Sequence, residues 1–221
     1  MADIADLPLV GGHPALDLVN TVERGIPGPG STARDYLANA TEVVAWAKLA
    51  GLLSDHEAAT VVRGWRQDPS AAQASIDVLK EIREALHLTL LASVGLGDWS
   101  DAATEAALTL LHRRWLEALG RSEVVRSPAG VPGVVLRVGT DPAWLVSDRA
   151  AESALDVLRS ADMQRLRRCP VESGGCGWVF FDRSRNGSRR WCRMADCGTA
   201  VKSRRLTERR REQRLNSEVG E

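Results

Sequence analysis

The stretch CPVESGGCGWVFFDRSRNGSRRWCRMADCG, residues 169–198, holds all four cysteines of the chain and decides how its last third folds. Six residues separate Cys169 from Cys176, four separate Cys192 from Cys197, and fifteen lie between the two pairs. A structural Zn2+ takes four soft donors at tetrahedral corners, and two cysteine pairs from two tight turns supply them. The spacing therefore assigns Cys169, Cys176, Cys192 and Cys197 to one structural zinc ion. Two disulfides are the rival pairing, and an intracellular chain argues against them. A catalytic zinc keeps an open position and usually takes His or a carboxylate. The four histidines, His13, His56, His87 and His112, all precede the cluster, so the site reads as closed.

Between the pairs, Trp178-Val179-Phe180-Phe181 has the composition of a strand. Asn186-Gly187 is a hairpin-turn signal, and Arg189 to Cys192 is the expected returning strand. Cys197-Gly198 then opens a helix running toward Leu215. Knuckle, hairpin, second knuckle and helix is the layout of a treble clef. A unit below about 40 residues has too little core to fold alone, so bound metal supplies folding free energy directly.

Upstream the pattern is mostly helical. Ser54 and Glu57 have capping-box spacing and start a helix through about Arg66. Pro69-Ser70 opens a longer one, whose Ile76, Leu79, Ile82, Leu86 and Leu90 recur at helical spacing until Gly95 and Gly97 end it. A helix after Ser100 carries Leu108, Leu111, Trp115 and Leu119 and stops at Gly120. An earlier one spans about Thr41 to Ala50, with Val43, Trp46 and Leu49 inward and Gly51 as its C-terminal cap. Two segments, Val134 to Val138 and Ala143 to Val146, read as a hairpin around Gly139-Thr140-Asp141-Pro142. Ser147 is the expected cap of a further helix toward Ser160, with Ala151, Leu155 and Leu158 inward. Leu7 to Val19 reads as a strand or two around Gly11-Gly12. The Gly25 to Gly30 stretch is a proline-containing loop without the Gly-Lys-Ser/Thr of a phosphate loop. The expected fold class is α+β, mostly helical: a helical N-terminal domain with short strands over residues 1–163, then a treble-clef-like zinc finger with a basic helix over 164–214, then a disordered tail over 215–221.

The formal net charge of zero hides a division. Residues 1–158 carry 13 Lys/Arg and 21 Asp/Glu, a net of 13 − 21 = −8, whereas residues 159–214 carry 16 and 6, a net of 16 − 6 = +10. Mutual neutralisation by packing is one reading. The other is a basic module aimed at a polyanion. Arginine forks match phosphate oxygens and reach base edges. Arg185, Arg189 and Arg190 on the hairpin, with Lys202, Arg204, Arg205 and Arg209 on the last helix, are the candidate nucleic-acid contacts, with DNA ahead of RNA. Trp178 and Trp191 read chiefly as packing residues, with base stacking as the alternative. An acidic protein partner is the rival use of the same surface.

No nucleophile elbow, phosphate loop or catalytic metal pattern occurs, and the expectation is a protein that is not an enzyme. No apolar run approaches the ~20 residues that span a bilayer. The first residues, Met1-Ala2-Asp3-Ile4-Ala5-Asp6, are acidic where a secretory signal is basic, so a cytoplasmic location is expected.

Residues 176–184, CGWVFFDRS, followed by Arg189-Arg190-Trp191-Cys192, Cys197-Gly198, Lys202 and Arg204-Arg205, resemble the CGNR zinc-finger family. The N-terminal part is similar to that family's usual partner, the ABATE domain, through Gly11-Gly12, Leu16-Asp17-Leu18-Val19-Asn20-Thr21 and Trp46 to Leu53. The resemblance implies a bacterial stress-responsive transcription regulator, or an RNA-binding protein, whose N-terminal domain senses a small-molecule ligand or stress signal. No residue is assigned to that ligand; Asp17 and Asn20 read equally as pocket residues and as turn supports. Two departures stand out. Cys197-Gly198-Thr199-Ala200 replaces the Cys-Gly-Asn-Arg of the family name, and the first cysteine pair is wider, with Ser173-Gly174-Gly175 inside it.

Overall fold

A computed structural model describes residue 4 and residues 7–24 and 34–218, without the side chains of residues 204, 205, 208, 211, 212 and 214–218. The loop read at Gly25 to Gly30 lies outside these residues. The longest element, α4 (Pro69–Ser93), forms because Asp68 caps it, accepting from the amides of Ser70 and Ala71, and because Pro69 occupies its first turn. Its stripe of Ile76, Leu79, Ile82, Leu86 and Leu90 is buried along its length. Around it pack α1 (Pro14–Val19), α2 (Ala40–Leu49), α3 (Asp55–Gln67), α5 (Ala102–Gly120) and α6 (Leu145–Ser160). The capping box of α3 is present in both directions, between Ser54 and Glu57. No helix among the described residues is long and apolar enough to cross a membrane.

Several local expectations need correction. The hairpin pairs β1 (Glu123–Arg126) with β2 (Val134–Arg137), so its turn lies upstream of Gly139. Ala143 to Val146 is not a strand but the entry to α6 and its first turn. Asp141-Pro142 is the reason: the Asp141 carboxylate accepts from the Ala143 amide and its carbonyl from Trp144, winding the chain into the helix. Ser147 consequently sits inside α6, buried, donating back to the Trp144 carbonyl rather than capping. Leu7 to Val19 makes no strand. His13 caps α1 and Pro14 begins it, a pairing that favours helix over sheet. Leu49 and Leu108 face outward, and the buried line of α5 runs through Thr104, Ala107, Leu111 and Ala118.

The last third begins with β3 (Leu166–Arg168), antiparallel to β4 (Val179–Phe181). The partner of β4 is therefore upstream of the cysteines, and residues 189–192 are irregular rather than a returning strand. The last described element is α7 (Thr199–Glu218), which continues past Leu215 because no Gly or Pro intervenes before Gly220. The helix thus includes residues 215–218 of the expected tail; residues 219–221 lie outside the described residues.

One hydrophobic cluster runs through both parts of the chain, from Leu16, Trp46 and Leu86 to Leu166, Trp178, Val179, Phe180 and Cys192. The joint is made by β4. Trp178 and Asp182 bond toward β3 and its flanks, through Trp178 O to Cys169 N and Asp182 N to Arg165 O. The opposite edge of β4 meets α1. Asn20 Nδ2 donates to Val179 O at 2.8 Å while Val179 N donates to Asn20 Oδ1 at 2.9 Å. Phe181 N donates to Gly11 O at 3.0 Å, and Trp178 Nε1 to Val22 O at 3.1 Å. Gly11 is held in turn by Asp17, whose Oδ1 accepts from the Gly11 amide at 2.8 Å. A Cβ at Gly11 would lie 2.6 Å from Leu16 Cβ and 2.9 Å from Asp17 Oδ1, so this close approach requires glycine.

Two outcomes are expected. Asn20→Ala strands the Val179 amide and carbonyl in a buried joint, which costs about 2–4 kcal/mol in chemical denaturation; a loss below 0.5 kcal/mol, roughly the size of a surface substitution, argues against the clasp. Burial raises the Asp17 carboxyl to about 6, and the Gly11 amide offsets only part of that rise. The folded state thus keeps a proton that an unfolded carboxyl has released, so stability falls as pH rises through the window from 3.8 to about 6. Asp17→Asn keeps an acceptor for Gly11 and removes the titration. It should raise stability at pH 7 by about 1–3 kcal/mol and leave little difference below pH ~4, as read by urea unfolding at both pH values.

Candidate metal centre

The four cysteines converge although they come from two separate turns. Cys169 follows β3 directly, and Cys176 lies just ahead of β4, so the β3–β4 hairpin carries the first pair at its tip. The wide six-residue gap is taken up by one turn of 3-10 helix at Val171–Ser173 and a left-handed Gly174. Gly175 N then donates to Pro170 O at 2.8 Å, folding the loop back onto itself. A Cβ at Gly175 would lie 2.7 Å from Cys169 Sγ and 2.9 Å from Pro170 O, so any side chain there displaces a ligand sulfur.

The second pair is positioned by Asp182, which is fully buried. Its carboxylate accepts from the Ser184 amide at 2.8 Å and from the Arg189 amide at 2.8 Å. Hydrogen bonds from Ser184 and Arg189 hold its pKa below the usual carboxylate range. This bridge closes the turn around Gly187 and returns the chain toward Cys192 without a strand. Arg189 then donates through Nε to Trp191 O at 3.0 Å and through Nη2 to Cys192 O, with its guanidinium 4.5 Å from the centre of the Phe180 ring. Cys197 sits in a π-helical turn, Met194–Gly198, that leads straight into α7.

The sulfurs fit a tetrahedral ion. All four Sγ atoms lie within 4.8 Å of one another; Cys176 and Cys192 are 3.3 Å apart, Cys192 and Cys197 3.7 Å. Zn–S bonds of about 2.3 Å at tetrahedral angles put sulfurs about 3.8 Å apart. A disulfide needs about 2.05 Å, and all four cysteines are free thiols. Cys169 and Cys192 are buried, Cys176 and Cys197 half-buried. Sulfurs this crowded compete for protons: the neighbouring thiols, Cys176 first, hold Cys169 down by hydrogen bonding, while contact with Cys169 pushes Cys176 and Cys192 up. A divalent cation at their centre ends that competition by taking all four as thiolates.

With this geometry in place, comparison with known families is direct. Residues 165–210 match the CGNR zinc finger, and residues 12–161 match the ABATE family, described as "Putative stress-induced transcription regulator". The chain belongs to the ABATE family. No match is found among curated proteins. The cysteine cluster is thus the one-zinc centre of the CGNR finger appended to an ABATE domain, as its spacing predicted.

The remaining sequence-selected residues of this ABATE protein divide by environment. Arg189 is an internal brace of the finger, as described. Arg190 is exposed, donates to Ser173 Oγ at 2.6 Å and lies over the Trp191 ring. Arg185, Lys202 and Arg209 are exposed. Arg204 and Arg205 lie on the α7 backbone, and their side chains are not among those described. Trp178 is buried in the joint and Trp191 half-buried beside Gly198, so both pack. Thr199, which stands in the family's Asn position, donates to Met194 O at 3.1 Å and ties α7 to the π turn. Asp17 and Asn20 prove to be joint residues. Sequence reasoning missed the Asp182 bridge; an Asp just before a Ser-Arg-Asn-Gly turn was the available signal.

Purified protein should contain one zinc per chain by atomic emission. Gly175→Ala should weaken zinc binding about tenfold or more in competition with a chelating dye, as displacement of a metal-ligand support does. Unchanged affinity would show that the Gly175 approach is dispensable.

Proposed function

We propose that this ABATE protein is a DNA-binding transcription regulator, not an enzyme, in which the zinc finger presents α7 to the nucleic-acid backbone. The observation that carries this reading is the character of α7. It spans 20 residues, about 30 Å, and its principal packing partner is the π turn that holds Cys197. Among its described side chains only Val201 is buried; Lys202, Leu206, Arg209 and Arg210 are exposed. Its sequence adds Arg204, Arg205, Arg211 and Arg214 against Glu208, Glu212 and Glu218. A helix polar on nearly every side has no core to enter, and its excess of guanidinium groups suits phosphate. Lys202 and Arg209, seven positions apart, lie two turns apart on one face, a spacing from which both can reach a groove edge.

In this reading the metal fixes the root of α7, and the ABATE domain fixes the finger through β4. A stress signal that perturbs the ABATE domain would then reach the helix through a continuous core. The location expected for such a regulator is the cytoplasm.

The test is fluorescence anisotropy with duplex DNA and single-stranded RNA across a salt series, using zinc-loaded full-length protein. Duplex binding should weaken steeply with salt, because phosphate contacts release counterions. Replacing Lys202 and Arg209 together by Ala should weaken binding to all duplex sequences alike and reduce the salt slope by about two, one for each phosphate that is no longer neutralised. Preference for RNA would replace DNA by RNA as the target. Absence of binding to either would leave an acidic protein partner as the use of this surface.

A further inference from the structure

A second basic feature lies away from α7, at the seam between the two matched regions. Three segments enclose an open cleft of about 520 Å3: the Gly12-His13 loop, the connection around Asp162 and Arg165, and the finger turn carrying Arg183 and Arg185. Its volume falls in the range of small-molecule sites, roughly 300–1,000 Å3. Phe181 and Ala161 supply an apolar wall. The rest of the lining sets three arginines, Arg165, Arg183 and Arg185, against Asp162 and Asp182.

Two of these guanidiniums are positioned, and none is strongly neutralised. Arg183 Nη2 donates to Gly12 O at 2.6 Å, and Arg165 Nη1 donates to Asp182 O at 3.3 Å and Ser184 O at 3.0 Å. Carbonyl partners fix a guanidinium without cancelling its charge. Arg185 has no hydrogen-bond or ion-pair partner among the described residues. The acidic groups present are bound by backbone amides, and one of them also pairs loosely with Arg165. Asp182 is held by the amides of Ser184 and Arg189, and Asp162 accepts from the Gln164 amide while standing 4.0 Å from Arg165 Nε. His13 Nε2 is 3.3 Å from Asp156 Oδ2, and its Nδ1 accepts from the Ala15 amide. The cleft thus holds two guanidiniums fixed by carbonyls and a third, Arg185, free to reach an occupant, next to a hydrophobic face.

We infer that this cleft binds a small organic anion, its phosphate or carboxylate head on Arg183 and Arg185 and its apolar body against Phe181. Planar guanidinium forks pair with either oxyanion, often bidentately. An occupant touches the ABATE loop and the finger turn at once, so it ties the two together beside the β4 joint. The cleft is separate from the cysteine site and needs no nucleic acid. The inference therefore stands or falls independently of the proposed DNA binding.

The test is calorimetric titration of zinc-loaded full-length protein at constant ionic strength with inorganic phosphate, phenyl phosphate and benzoate. Saturable one-to-one binding is expected, with phenyl phosphate tighter than inorganic phosphate because of the apolar wall. Phenyl phosphate against benzoate identifies the preferred head. Arg185→Ala, which removes no contact within the described fold, should weaken phenyl phosphate binding about tenfold, the effect of losing one charge-assisted hydrogen bond. Arg113→Ala, an exposed arginine of α5 remote in sequence from the cleft, should leave it unchanged. Absence of saturable binding by all three probes, or equal losses in both variants, would overturn the assignment. So would a fall in DNA affinity on Arg185→Ala in a protein that binds none of the probes, because the cleft would then belong to the nucleic-acid interface.

Discussion

A two-stranded sheet has two outer edges, and each exposes amides and carbonyls that must find partners if they are buried. In this protein the outer edge of β4 is buried, and the whole arrangement depends on how it is satisfied. Asn20 offers a side-chain amide that pairs with Val179 as a neighbouring strand would, and Gly11 offers a carbonyl to Phe181. The residues that flank α1 thereby act as a third strand without forming one. The zinc knuckle hangs on the far end of the same hairpin, so ligand placement, strand pairing and contact with the ABATE domain are set by one short segment. The finger is small, but its strand lies inside a core that extends to Leu86 of α4. Metal is therefore one of two sources of its folding free energy, beside burial against the ABATE domain.

Sequence carried the four zinc ligands because zinc chemistry is written in residue type and spacing, and four cysteines in one stretch admit few arrangements. It carried α3 and α4 equally well: a capping box and a stripe at Ile76, Leu79, Ile82, Leu86 and Leu90 are local signals with local causes. Its errors fall where a specific partner overrides composition. Ala143 to Val146 has strand-like residues, yet Asp141 turns them into a helix start. Residues 189–192 look like a returning strand, yet Asp182 takes the Arg189 amide that a ladder would need. Leu7 to Val19 has the apolar content of a strand, yet His13 and Pro14 begin a helix. The Asn20–Val179 clasp left no pattern at all, since a side-chain amide bonding a backbone 159 positions away has no periodicity.

The basic residues illustrate a related point about counting charges. A run of arginines in sequence suggests a single surface, whereas the structure sorts them into different environments. Arg165 and Arg189 bind backbone carbonyls of the finger and act as its struts, and Arg183 reaches across to the Gly12 carbonyl of the ABATE loop. Lys202, Arg209 and Arg210 stand exposed on a helix whose only buried side chain, among those described, is Val201. Arg185 stands exposed in the seam. The charge division between the two parts of the chain is therefore no simple mutual neutralisation: one fraction of the positive charge stabilises the fold, and another is left facing solvent.

The distance along the chain between the two halves of the clasp also sets a schedule. Chains emerge from the ribosome N-terminus first, at about 5–20 residues per second, so 159 positions correspond to roughly 8–30 s between Asn20 and Val179. During that interval the helices of the ABATE domain can assemble, but the face of α1 that will receive β4 has no partner and presents apolar surface to solvent or to chaperones. Zinc cannot be enclosed until Cys197 has also appeared. Domain closure and metal loading thus follow the synthesis of the ABATE helices, and the docking of β4 is a late, long-range step rather than a local one.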